Sequence, residues 1–162
     1  MSDAKELLEV EDPAVEVLTQ HLGWKEIDAK KAEEMRESLK HVHLVQPLLD
    51  AIQRFNPWIS DDNAQRVVRA IASVQAASVI EANEKLHGML ERGTTVLQDL
   101  GDGLGKKSQD VLLIDYQHPE NNQFNVVRQF RVLNYKENIP DLVLFINGLP
   151  VVVIECKSPT LR

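Results

Sequence analysis

The chain holds one cysteine, Cys156. A single thiol excludes an internal disulfide framework and any zinc site built from several thiolates. Cys156 is expected to act as a small apolar residue packed into the core. Long apolar runs are missing too. None approaches the roughly 20 residues of a membrane-spanning helix, and the start, MSDAKELLEVED, is too acidic and too interrupted for a signal peptide. A cytoplasmic location with no membrane contact is the expectation. Basic charge is short: 18 Lys and Arg stand against 25 Asp and Glu, a net charge of −7. Neutralising DNA phosphates takes clustered Lys and Arg, so the chain is not expected to grip DNA strongly by itself. Arg128, Arg131 and Lys136 form a modest cluster, Lys106-Lys107 a second, and Arg66 and Arg69 lie on an expected helix. Most of these are expected to be solvated surface charge. Gly-x-x-x-x-Gly-Lys-Ser/Thr does not occur, and Gly101-Asp102-Gly103-Leu104-Gly105 lacks the spacing and context of a phosphate cradle. It is expected to be a turn.

What is present suits one globular domain over residues 1–162 with a sizeable core. Helical patterning fills about 12–92 and strand patterning about 94–158. Residues up to about Glu11 are acidic and expected to fray at the start. Asp12-Pro13 is the expected helix entry, with Asp12 as N-cap, and Ala14, Val15, Leu18 and Leu22 fall at helical spacing up to Gly23. Trp24 is expected to pack back onto the core. Asp28 should start a charge-rich, solvated helix running to about Lys40. His41 and His43 lack neighbours that complete a ligand set and are expected at the surface or a helix end. Further helices are predicted over Leu44–Phe55, from a cap at Asp61 or Asp62 along Val67, Val68, Ile71 and Val74, and over Ser78–Glu91, separate or continued through Ala76-Ala77. Beyond Arg92-Gly93 the texture becomes β-branched, and strands are predicted over Thr94–Leu100, Val111–Tyr116 and Phe124–Val132. Helices first and a largely antiparallel set of strands after give an α+β fold, or a mixed sheet with helices on its faces.

The most informative stretch is IPDLVLFINGLPVVVIECKSP, Ile139 to Pro159. Asn147-Gly148 separates two apolar runs, the strongest short-range hairpin pattern a sequence offers. Asp141 opens the first run, and Glu155 and Lys157 close the second. A two-residue loop pairing Ile146 with Leu149 would set Asp141 against Ile154. A register offset by one, reached through a three-residue loop or a bulge, would set Asp141 opposite Glu155. If the acids act together, the second register is expected. Glu155 and Lys157, two apart, share a face, and Cys156 points the other way with Ile154 and Val152. Two carboxylates suit Mg²⁺, which takes one or two protein carboxylates plus waters and phosphate oxygens. A nearby lysine can steady developing negative charge. The plain alternative is a buried hairpin whose end charges are solvated or paired.

Pro140-Asp141 followed by Glu155-Cys156-Lys157 resembles the PD-(D/E)xK nuclease signature. The whole stretch, with NNQFNVVRQFRV before it, resembles the N-terminal nuclease domain of the restriction (R) subunit of type I restriction enzymes. The resemblance implies a PD-(D/E)xK restriction-endonuclease-like core, with Asp141 and Glu155 as Mg²⁺ ligands and Lys157 as the catalytic lysine. It also implies an acid on the first helix, for which Glu11 is nominated. The activity implied is hydrolysis of foreign double-stranded DNA, within a complex containing methylation (M) and specificity (S) subunits and driven by ATP in motor domains that this chain does not include. The family's glutamine-tyrosine motif after the Glu-x-Lys strand is not found before Arg162, so the chain is expected to be a truncated N-terminal piece. Two other readings are a PD-(D/E)xK nuclease of another DNA-processing system and a non-catalytic docking domain of the same fold.

Overall fold

The computed structural model describes residues 10–74, 78–99, 101, 103 and 105–157. The acidic start, the Ala76-Ala77 junction, Leu100, Asp102 and Leu104 of the glycine turn, and Ser158-Pro159 lie outside the described residues. The chain divides into two compact units, 1–44 with 124–162, and 45–123. Helices and a mixed sheet together give the α+β class expected from the sequence.

The first unit opens with helix α1, Asp12–Glu16, which continues as a π-helical segment, Val17–His21. Pro13 sits in the first turn, but the N-cap is Glu11 and not Asp12. The wide π turn changes the helical period. Val15 and Leu18 are buried, whereas Leu22, expected on the same stripe, swings out to 61% exposure. Gly23, at φ +74, ends the segment. A short strand follows that the sequence pattern did not suggest, β1, Lys25–Ile27. Asp28 caps helix α2, Ala29–Glu34, accepting from the backbone N–H of Lys30 and Lys31. This helix stops six residues short of the expected Lys40. Arg36 turns inward instead and donates to the carbonyls of Ala32, His41 and Arg131, with its guanidinium 4.2 Å from the Phe130 ring centroid.

The sheet of this unit contains β1, β4 (Phe124–Arg128), β7 (Leu142–Ile146) and β8 (Leu149–Ile154), in the order β1-β4-β7-β8. The β1–β4 pair is parallel and the rest antiparallel. Residues of β7 alternate between two cores. Leu142 and Leu144 join Val15, Leu18, Val126 and Cys156 on the α1 side. Val143 and Phe145 join Ile27, Ala32, Leu44, Val127 and Phe130 on the other. Burial on both faces explains why LVLFI is apolar throughout instead of alternating. Each such side chain removed from water contributes about 1.5–3 kcal/mol. Trp24 packs back as expected, edge-on to Phe124 at 5.2 Å. The expected strand over Phe124–Val132 is broken after Arg128, where Gln129 adopts φ +48. A small hairpin, β5 (Val132–Leu133) with β6 (Glu137–Asn138), lies between β4 and Pro140.

The second unit packs α3 (Val45–Phe55) against α4 (Asp61–Ala72), and α4 against β2 (Thr94–Asp99). Ser60, and neither Asp61 nor Asp62, caps α4 by accepting from Asn63 N–H. Helix α5 is Val79–Arg92, capped by Ser78 and closed at Gly93. Strand β3 is Lys106–Val111, antiparallel to β2. The expected strand over Val111–Tyr116 is therefore displaced. Leu112 leaves the ladder and bonds Asn56 in both directions, each at 2.9 Å. No helix among the described residues is long and apolar enough to cross a membrane.

Candidate active site

Asn147 (φ +52) and Gly148 (φ +79) both take left-handed conformations, as a two-residue hairpin loop of matching twist requires. Ile146 pairs with Leu149 and Phe145 with Pro150. The register then shifts: Leu144 pairs with Val152, leaving Val151 as the extra residue of a bulge, and Leu142 pairs with Ile154. The ladder ends there, and this register, continued by one step, aligns Asp141 with Glu155. The chain thus combines a two-residue loop with a bulge to reach the register expected if the acids act together.

Asp141 is fixed by two partners. Cys156 N–H donates to Oδ2 at 2.6 Å, and Gln129 Nε2 lies 3.4 Å from Oδ1. The backbone carbonyl of Asp141 accepts from Gln129 N–H at 2.8 Å. Cys156 itself is buried on the α1 side, as expected for a small packing residue. Glu155 and Lys157, on either side of it, are exposed and make no hydrogen bond or ion pair among the described residues.

Glu11 arrives from the start of α1 and is 4% exposed. Its Oε1 accepts from Gln129 Nε2 at 2.8 Å, while its buried Oε2 has no hydrogen-bond partner among the described residues. Burial pushes its pKa above the usual carboxylate range, and the neighbouring Asp141 charge pushes it further. The structure therefore brings Glu11 and Asp141 together on one amide. Sequence reasoning had nominated Glu11 but missed Gln129, whose polar side chain interrupts an otherwise strand-like run.

The approach of α1 is held by Arg128. Its guanidinium bonds both Asp12 and, at 2.8 Å, Glu26 of β1. Arg131 is likewise engaged, 3.1 Å from Glu137 and 3.8 Å from Glu33. The expected basic cluster is thus largely neutralised by acids, with Lys136 in the turn of the β5–β6 hairpin. Lys106 and Lys107 begin β3.

Among the described residues, no group of three or more His, Cys, Asp or Glu side chains is placed to hold a metal ion. Mg²⁺ needs fewer, because it commonly takes one or two carboxylates and completes its shell with waters and phosphate oxygens. The buried, unpartnered Oε2 of Glu11 beside the Asp141 carboxylate fits such an ion, since two neighbouring acids gain most from a cation. His41 and His43 sit elsewhere. Their rings stack at 5.6 Å, and His43, just ahead of α3, is buried, which rules out the surface alternative and leaves the helix end. Burial, then the neighbouring His41, holds its pKa below the ordinary histidine value.

The family model describing the N terminus of the type I restriction enzyme R protein matches residues 4–162. A Methanocaldococcus jannaschii protein assigned as the endonuclease subunit of the type I restriction enzyme MjaIXP is 33% identical over 128 residues. That alignment covers 76% of this chain and 12% of the relative. The type I restriction enzyme HindI endonuclease subunit of Haemophilus influenzae is 29% identical over 147 residues, 86% of this chain and 14% of that protein. The chain spans only 12% and 14% of the length of these two relatives.

Proposed function

Because the chain belongs to the family of type I restriction enzyme R protein N termini, we propose that it is the Mg²⁺-dependent nuclease module of such an enzyme. Its substrate is the phosphodiester backbone of foreign double-stranded DNA. It works in the cytoplasm beside methylation and specificity subunits, in a complex whose ATP-driven motors lie outside this chain. The observation that supports the reading is the β8 bulge, which shifts the register into the one that, continued past Leu142 and Ile154, aligns Asp141 with Glu155, while Gln129 joins Asp141 to Glu11.

In this reading Asp141 and Glu155 hold Mg²⁺, with Glu11 beside Asp141. The ion, when bound, supplies positive charge against the scissile phosphate and makes water more acidic. The Cys156 amide keeps the Asp141 carboxylate turned toward the end of β8. Lys157, exposed at that end, meets negative charge that develops on the phosphate. Sequence recognition is left to the specificity subunit, since Arg128 and Arg131, the basic residues of the strand before the hairpin, are already paired with acids.

The test is cleavage of supercoiled DNA by the restriction complex carrying Asp141→Asn or Lys157→Ala. Each variant is expected to lose at least about 100-fold in rate, the scale for removing one group that stabilises transition-state charge, while melting at nearly the parent temperature. Cleavage at the parental rate by Asp141→Asn contradicts the assignment.

A further inference from the structure

We propose that Gln129 is a positioning residue, a strained amide clamp that holds Glu11 and Asp141 as one carboxylate pair before any cation arrives. The inference rests on the nuclease reading above and adds to it a residue outside the Asp, Glu and Lys of the signature.

Three features of Gln129 converge. Its φ of +48 is uncommon for a residue with a side chain, and such backbone strain concentrates where a site is held in an unfavourable geometry. Its backbone is tied down, because Gln129 N–H donates to the Asp141 carbonyl at 2.8 Å and the next N–H, of Phe130, to the Pro140 carbonyl at 3.1 Å. Its side-chain Nε2 then meets one oxygen of each acid, Glu11 Oε1 at 2.8 Å and Asp141 Oδ1 at 3.4 Å. An amide nitrogen has two N–H donors and no charge, so it can face two carboxylates at once.

The strain has a geometric purpose. A β-conformation at 129 would continue β4 and carry the side chain across the sheet plane by the two-residue alternation. The left-handed turn instead aims the amide along the end of β7. The clamp leaves Glu11 Oε2 without a partner among the described residues while fixing the carboxylate that carries it. Two acids that would otherwise repel each other and drift apart are thereby kept in place, which lowers the reorganisation needed when a divalent ion binds.

The experiment compares the parent with Gln129→Met, which keeps length but has no amide, and Gln129→Gly, which tolerates the backbone angle. Each is made alone and with Glu11→Gln. Melting is recorded without metal, and Mn²⁺ affinity is measured by calorimetry. Without metal, Gln129→Met is expected to melt about 4–8 °C lower, the shift for losing hydrogen bonds to charged groups in a domain of this size. That drop should shrink by at least half in the Glu11→Gln background, where the stronger of the two bonds no longer goes to a charge and the repulsion with Asp141 is gone. Both Gln129 variants should bind Mn²⁺ about tenfold more weakly, one such bond's worth. Equal drops with and without Glu11 overturn the clamp, as does unchanged Mn²⁺ affinity in both variants. A parent that binds no Mn²⁺ overturns the metal reading instead, and the metal-free melting comparison still decides for or against the clamp.

Discussion

The backbone N–H of Cys156 donates to Oδ2 of Asp141 at 2.6 Å, so a residue whose side chain lies in the core also orients an acid at the hairpin's end. An amide oxygen also accepts that bond, though less strongly than a carboxylate. Asp141→Asn is therefore expected to melt near the parent temperature, since it keeps the acceptor and removes repulsion with Glu11. Asp141→Ala leaves the Cys156 N–H without this partner and is expected to lose about 1–3 kcal/mol. Chemical denaturation of the two variants distinguishes them.

The β8 bulge makes a prediction about strand length. Val151 is the extra residue, so shortening the Val151–Val153 run by one valine closes the bulge and keeps the rest of β8 in step with β7. Inserting one alanine after Ile154 instead sets every later residue back by one position, moving Glu155 and Lys157 to the opposite sheet face. The shortened protein is expected to retain divalent-ion binding, and the lengthened one to lose it. Calorimetry on the two proteins checks this.

Arg36 is 7% exposed, gives three hydrogen bonds to backbone carbonyls and stacks on Phe130. Arg36→Ala strands those carbonyls and removes the stacked guanidinium, an expected loss of about 3 kcal/mol or more. Arg36→Lys keeps the charge but not the planar fork, and is expected to recover less than half. Urea denaturation reads both.

His43 makes stability depend on pH. Burial and the neighbouring His41 lower its pKa in the fold, while Glu37 opposes them weakly. As pH falls through about 6.5, the unfolded chain gains a proton that the folded chain refuses. Stability is therefore present above that pH and falls below it, down to the lowered folded pKa, by at most about 1.4 kcal/mol per unit. His43→Phe is expected to flatten the slope between pH 7 and pH 5 relative to the parent. An unchanged slope, from denaturation at several pH values, contradicts this.

Much of the site-bearing hairpin is legible in the sequence, because Asn147-Gly148 and the two flanking apolar runs are local features with local causes. The register could be narrowed to two choices only, since a bulge at Val151 depends on how β8 twists against β7. Strand β1 is too short, at three residues, to show a period, and it exists by pairing with β4. The sequence places Arg36 on a solvated helix because alternating charge looks the same on a surface helix and around one buried cation. Leu22 was placed on the buried stripe because the π turn that displaces it leaves no mark in the spacing. Gln129 was missed for a related reason: its importance lies in a backbone angle, set by contacts with residues 140 and 141 that are distant in sequence.

The central claim is that Asp141 and Glu155 form one divalent-ion site at the end of the hairpin. Calorimetric titration of Mn²⁺ into the parent, Asp141→Ala and Glu155→Ala tests it most directly. The account predicts saturable binding by the parent that is abolished by either substitution. Absence of binding in the parent, or binding that survives both substitutions, would contradict it.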